Sequence, residues 1–122
     1  MNFEFAPEFE KEVKALGKRW RSLPKDIENV KPFIESLYTE QEGVSLEEHR
    51  TAFFNNKRAT ILHRTDCGEA VKMRLDCVSL GQKDIVRLIF VFIKEGDTVT
   101  FVELFSKQDK PREDERRLGR YL

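Results

Sequence analysis

The chain has 122 residues, with 22 Lys and Arg balanced by 22 Asp and Glu. A chain of this length buries roughly two thirds of its unfolded surface, enough for one core, so a single domain over residues 1–122 is expected. Zero net charge excludes indiscriminate attachment to nucleic acid through bulk charge, and no window approaches membrane-spanning length. The charge is unevenly placed. Residues 1–56 carry 8 Lys and Arg against 11 Asp and Glu, and residues 57–122 carry 14 against 11, so a polyanion is expected to meet the second half. Residues 1–5 form neither a basic leader nor a cleavage site, which leads to the expectation of a cytoplasmic protein. Cys67 and Cys77 then read as free thiols, since two ligands do not satisfy tetrahedral zinc, and no metal or cofactor is expected.

In chain order, Phe3 and Phe5 alternate with Asn2 and Glu4 as in a short half-buried strand, and Pro7 opens a helix without losing a needed donor. That helix runs to about Trp20, with Phe9, Val13, Leu16 and Trp20 at helical spacing and acidic residues early, basic residues late. Pro24 opens a second helix with Ile27, Val30, Ile34 and Leu37 on one stripe, kinked at Pro32. Ser45 and Glu48 fit a capping box for an extra helix at 45–54. From Ala59 the period changes to two, giving strands near 60–64, 69–77, 84–93 and 98–107, with Gly68, Gly81 and Gly96 marking turns. Residues 108–122 form a charged tail, either a short helix or a mobile end. The fold class is therefore α+β, a short strand and two helices packed on an antiparallel four-stranded meander.

In Val71-Lys72-Met73-Arg74-Leu75 the side chains alternate, so Lys72 and Arg74 share one face while their neighbours point into the core. Arg87 begins an otherwise apolar strand and is placed to reach the same face. Arginine offers a planar fork of donors and lysine a point charge, so three such groups around one concavity suit a phosphate. The alternative is a solvated edge strand for Lys72 and Arg74, with Arg87 paired to Glu103 or Asp76. Glu103, Phe105 and Lys107 alternate onto one face of the last strand, where Glu103 is expected to pair with a neighbouring cation. His49 and His63 stand in no metal or triad spacing, and glycine-rich phosphate loops and serine elbows are absent.

The order of elements, together with Lys72-Met73-Arg74, Arg87-Leu88-Ile89-Phe90 and Phe101-Val102-Glu103-Leu104-Phe105-Ser106-Lys107, resembles the RelE/ParE superfamily of toxins from bacterial toxin-antitoxin systems. The resemblance spans almost the whole chain and is strongest over residues 71–110. It implies a small α+β toxin silenced by a cognate antitoxin, typically a helix-turn-helix protein encoded beside it. RelE-type members cut mRNA on the ribosome without a metal, and ParE-type members poison DNA gyrase; a decayed member would retain antitoxin binding alone. Carried over by position, Lys72, Arg74 and Arg87 are the candidate catalytic residues, with Arg87 matching the arginine that holds the scissile phosphate. Lys72 is the candidate base, because crowded cations depress a lysine pKa, and Arg74 and Arg87 stabilise the phosphorane. Lys107 matches the basic end of the last strand, and Lys110, Arg112 and Tyr121 complete the candidate RNA contacts. Two positions depart from the pattern: Gln108 stands where a further arginine is usual, and Asp114 falls where a tail tyrosine would act as acid. Asp109 or Tyr121 could substitute.

Overall fold

The structure, a computed structural model, describes residues 1–122. Period-two alternation in the second half yields β2 (Ala59–Arg64), β3 (Gly68–Arg74), β4 (Val86–Ile93) and β5 (Thr98–Ser106), each antiparallel to the next. The opening strand β1 (Asn2–Phe5) pairs parallel with β5, setting Phe3 beside Val99 and Phe5 beside Phe101. The sheet is thus five-stranded and mixed, in the order β1-β5-β4-β3-β2, which corrects the four-stranded antiparallel expectation. The cause is aromatic burial between segments remote in sequence. Phe5 lies 5.1 Å from Phe9 and 5.2 Å from Phe101, ring to ring, and the free edge of β5 supplies backbone partners beside that cluster.

Three helices cover one face of this sheet. In α1 (Pro7–Arg19), proline fills the first turn, and Phe9 and Leu16 point into the core. The second helix, α2 (Leu23–Ser36), runs on through Pro32 and buries Leu23, Ile27 and Ile34. Next, α3 (Leu46–Asn55) starts at Ser45, whose hydroxyl accepts the Glu48 N–H, and contributes Phe53 to the same core. Against them the sheet presents Val71, Met73, Leu88, Phe90, Phe101 and Leu104. No helix is long and apolar enough to cross a membrane.

The opposite face carries a smaller apolar cluster, Ala70, Ile89, Val91, Val102 and Phe105, capped by Leu118, Tyr121 and Leu122 of the tail. Both faces are therefore covered over much of the sheet, which is why β4 is buried along nearly its whole length. The tail holds a single turn, α4 (Glu115–Leu118), with the Asp114 side chain accepting the Arg117 N–H. Its anchor is Glu103, 1% exposed, whose carboxylate accepts the Lys110 ammonium and the Asp114 N–H. Arg117 adds a fork to Glu12 of α1 at 2.8 and 3.0 Å. Of the two forms expected for the tail, a short helix or a mobile end, the structure has the helix, and a buried acid and a cross-linking arginine fix it down.

Gly68 has a different role from the turn expected of it. It begins β3, and a Cβ there would meet the Phe92 carbonyl oxygen at 1.9 Å, so glycine permits close strand approach.

A candidate anion-binding cavity

Strand register places three arginines side by side on the tail-covered face. The Arg74 N–H donates to the Arg58 carbonyl at 2.9 Å, just before Ala59 pairs with Met73, and Arg74 pairs directly with Arg87. Arg87 in turn faces Phe105 on β5. Residues directly opposite in a sheet share a face, so Arg58, just ahead of β2, forms a row with Arg74 of β3 and Arg87 of β4. One step along the strands, Lys72 pairs with Thr60 in the next row of the same face. Lys57 and Lys107 close the ends. Together these six cations line a cavity of about 170 Å³, with no carboxylate among the lining residues.

Carboxylates that do not line the cavity pair with four of its cations. Asp84, three residues before Arg87, takes Arg74 Nη1 at 2.9 Å and Arg87 Nη1 at 3.1 Å, one acid shared by two arginines. Asp76 takes Arg58 Nη2 at 2.7 Å, and Glu113 of the tail takes Lys72 Nζ at 3.0 Å. Lys57 and Lys107 make no ion pair.

Arg87 is the most buried of the row, its side chain 11% exposed. Its three protein contacts, to Asp84 Oδ1, the Asp84 carbonyl and the Val86 carbonyl, all pass through Nη1. No buried side-chain nitrogen or oxygen in the molecule lacks a partner, so the unbonded Nε and Nη2 of Arg87 meet solvent. Burial lowers the Arg87 pKa from its ordinary value; Asp84 opposes this, while Arg74 and Arg58 push further down. The guanidinium stays charged, but the site is short of negative charge, and an arriving anion would relieve it. The Glu113 pKa is lowered as well, which for an acid favours the charged form. Burial would raise its pKa, but a backbone N–H and Lys72 more than offset that and hold the carboxylate below its usual range.

Of the residues expected from sequence, Lys72, Arg74, Arg87 and Lys107 line this one cavity. Lys110 does not join them: it turns inward to Glu103 and sits 5.2 Å from the Phe105 ring centre. Arg112 is exposed on the tail, and Tyr121 packs half-buried against the apolar clusters. Arg87 finds its partner in Asp84, whereas Glu103 and Asp76 pair with Lys110 and Arg58. Sequence reasoning missed Lys57, Arg58, Asp84 and Glu113. The signal for Arg58 was present, since it shares strand parity with Thr60, but only the β2–β3 register shows that this parity meets Arg74.

A second polar cluster lies on the helix-covered face of β3. Arg50 of α3 donates through Nη2 to both oxygens of Glu69 at 2.7 and 2.9 Å and through Nη1 to the Leu37 carbonyl at 3.0 Å, and Arg64 Nη2 lies 3.7 Å from the same carboxylate. The Tyr38 hydroxyl donates to Glu69 Oε2 at 2.9 Å, and its ring stacks on Phe92 at 4.0 Å. Burial, reinforced by Glu69, raises the Tyr38 pKa well above its ordinary value. For Arg50, burial pulls down but the Glu69 bonds and charge win, raising it. No three His, Cys, Asp or Glu side chains gather as a metal-binding group, and both cysteines are free thiols. No family model, curated protein or solved structure matches this chain.

Proposed function

We propose that this chain is a RelE-like toxin whose cationic cavity binds and cleaves an RNA phosphodiester, acting on mRNA at the ribosome. What supports the reading is the open side of Arg87: one nitrogen is held by Asp84 and carbonyls, leaving Nε and Nη2 unbonded beside Arg74. The order β1, α1, α2 and then the antiparallel run β2 to β5 suits the RelE-like arrangement, and the cytoplasm suits such a substrate.

In the reaction the ribose 2′-oxygen attacks the adjacent phosphorus as its proton is removed, the bond from phosphorus to the 5′-oxygen of the next nucleotide breaks, and that oxygen takes up a proton, so that one proton leaves and one enters. The products are a 2′,3′-cyclic phosphate and a 5′-hydroxyl, and no metal is required. Arg87 and Arg74 would bind the nonbridging oxygens, whose negative charge grows in the phosphorane. Lys72 donates to Glu113 as an ammonium, so it contributes a third positive charge in this arrangement and becomes a base only once that pair opens and a proton leaves. Lys107, without a carboxylate partner, would contact the flanking backbone. In a ribosome-supplemented mRNA cleavage assay, Arg87→Ala should lose roughly 10²–10³-fold in rate, the usual cost of removing one preorganised donor. Near-normal cutting would overturn the clamp.

A second reading rests on the carboxylates. Asp76, Asp84 and Glu113 each hold a cavity cation, as suits a protein-binding surface of ParE type that meets DNA gyrase, or a member that only binds its antitoxin. An Arg87→Ala protein that still arrests growth, relieved by the neighbouring antitoxin, would favour it.

A further inference from the structure

We infer that the turn joining α3 to β2 adds a second phosphate subsite to the cavity, formed by Lys57 and Arg58, so that the site grips two consecutive backbone phosphates. The inference deepens the phosphodiester reading above and rests on it.

Three observations carry it. The first is position. Arg58 is bonded through its carbonyl to the Arg74 N–H, and Arg74 pairs with Arg87, so Arg58 and Arg87 stand two strand spacings apart, about 10 Å, with Arg74 between them. They are also coupled electrostatically, since Arg58 is among the charges that depress the Arg87 pKa. Donors spread along such a row suit two phosphates, one toward Arg87 and one toward Arg58.

The second is charge. Six cations line the cavity, and three carboxylates, Asp76, Asp84 and Glu113, pair with four of them from outside. A single phosphodiester carries one negative charge and would leave the surplus largely unmatched, whereas two consecutive linkages come closer to neutralising it. The cavity of about 170 Å³ also has few apolar lining atoms for a base, and its one aromatic ring, Phe105, is 4% exposed and so offers no stacking surface. The site therefore takes the sugar-phosphate chain and leaves the bases outside.

The third is backbone conformation. Lys57 holds φ +65°, a region that glycine or asparagine occupies without strain and a lysine occupies at a cost. Its side chain lines the cavity with no protein partner. Asn56 fixes the turn by accepting the Arg58 N–H at 3.0 Å. A turn that needs a left-handed residue and places a lysine there puts charge where a second phosphate would lie.

The test uses two uncleavable probes without terminal phosphates, a 2′-O-methyl dinucleotide with one linkage and a 2′-O-methyl trinucleotide with two. Each is titrated by NMR into the full-length protein at fixed salt. The wild type should bind the two-linkage probe at least about tenfold more tightly, as charge-assisted bonds to a second phosphate predict. The double variant Lys57→Asn with Arg58→Ala should shrink that ratio to about twofold, the statistical advantage of two equivalent linkages, and the loss of cavity charge that weakens both probes alike cancels in the ratio. Asp76→Asn, which releases Arg58 from its carboxylate, should widen the ratio; an unchanged or narrower ratio would count against the subsite. If the double variant keeps the full tenfold ratio, the second subsite is wrong and the phosphodiester reading stands. If the wild type binds neither probe, or Arg87→Ala binds both as the wild type does, the phosphodiester reading itself fails and the subsite falls with it.

Discussion

Strand β3 carries two arginine-carboxylate clusters on opposite faces, and they differ in what the arginine has left to give. Beneath α3, Arg50 meets both oxygens of Glu69 and a backbone carbonyl, and its guanidinium lies 5.1 Å from the Tyr38 ring centre and 5.3 Å from that of Phe54. Every partner is supplied by the protein, and the cluster ties the extra helix to the sheet. On the other face, Asp84 is divided between Arg74 and Arg87, and each guanidinium spends one nitrogen on it. The residue types match, but the Glu69 side chain is 10% exposed and that of Asp84 34%. What separates a fastening from a binding site is how many guanidinium nitrogens the protein occupies: Arg50 spends both terminal nitrogens, one on the Leu37 carbonyl and one on Glu69, whereas Arg74 and Arg87 spend one each.

Perturbing each cluster should break this contrast in opposite ways. The largest effect is expected at Arg87→Ala, with roughly 10²–10³-fold lost in RNA cleavage but a melting temperature within a few degrees of wild type. Glu69→Gln should do the reverse. It leaves the partly buried Arg50 uncompensated and should cost about 2–3 kcal/mol in urea unfolding, reduced from the fully buried case because solvent reaches the pair. One-linkage probe affinity should be unchanged in the fraction that remains folded.

A pH dependence follows from Tyr38. Its folded pKa lies above the ordinary value of 10.0, so the native state keeps a proton that the unfolded chain releases. The associated stability is fully present below about pH 10 and declines above it, by up to about 1.4 kcal/mol per pH unit. Tyr38→Phe should flatten that alkaline decline in denaturant melts, and an equally steep decline in the variant would assign it elsewhere. The smallest effect concerns Glu113. Its folded pKa lies below the ordinary 4.5, so its contribution to tail docking is present above that pH and lost as pH falls through and below it. Glu113→Gln should cost under about 1 kcal/mol and raise one-linkage probe affinity severalfold by freeing Lys72. Amide exchange over residues 111–122 would report the loosened tail.

Local pattern carried much of this molecule. The alternation around Lys72 and Arg74 fixes their common face, and the capping pair Ser45 and Glu48 marks the start of α3, because both depend on neighbours within a few residues. The sheet edge was not legible. Phe3 and Phe5 announce a strand, but its parallel seat on β5 is decided by the rings of Phe9 and Phe101, and no periodicity encodes that meeting. Partner choice was hidden for a similar reason. Glu103 reads as an acid in search of a cation, yet which cation depends on how the tail folds back, and Lys110 wins over Arg87. Arg58 escaped notice because it precedes its strand, and only the pairing with β3 turns it into the third member of a row.

The central claim, that the protein leaves Arg87 and Arg74 with unused donors for a phosphodiester, is tested most directly by titrating the one-linkage 2′-O-methyl probe while following the arginine Nε–H resonances. The account predicts saturable shifts at Arg87 and Arg74 that salt reverses, with Arg50 and Arg117 unmoved. Silence at Arg87, with shifts confined to exposed tail arginines such as Arg112 and Arg120, would contradict it.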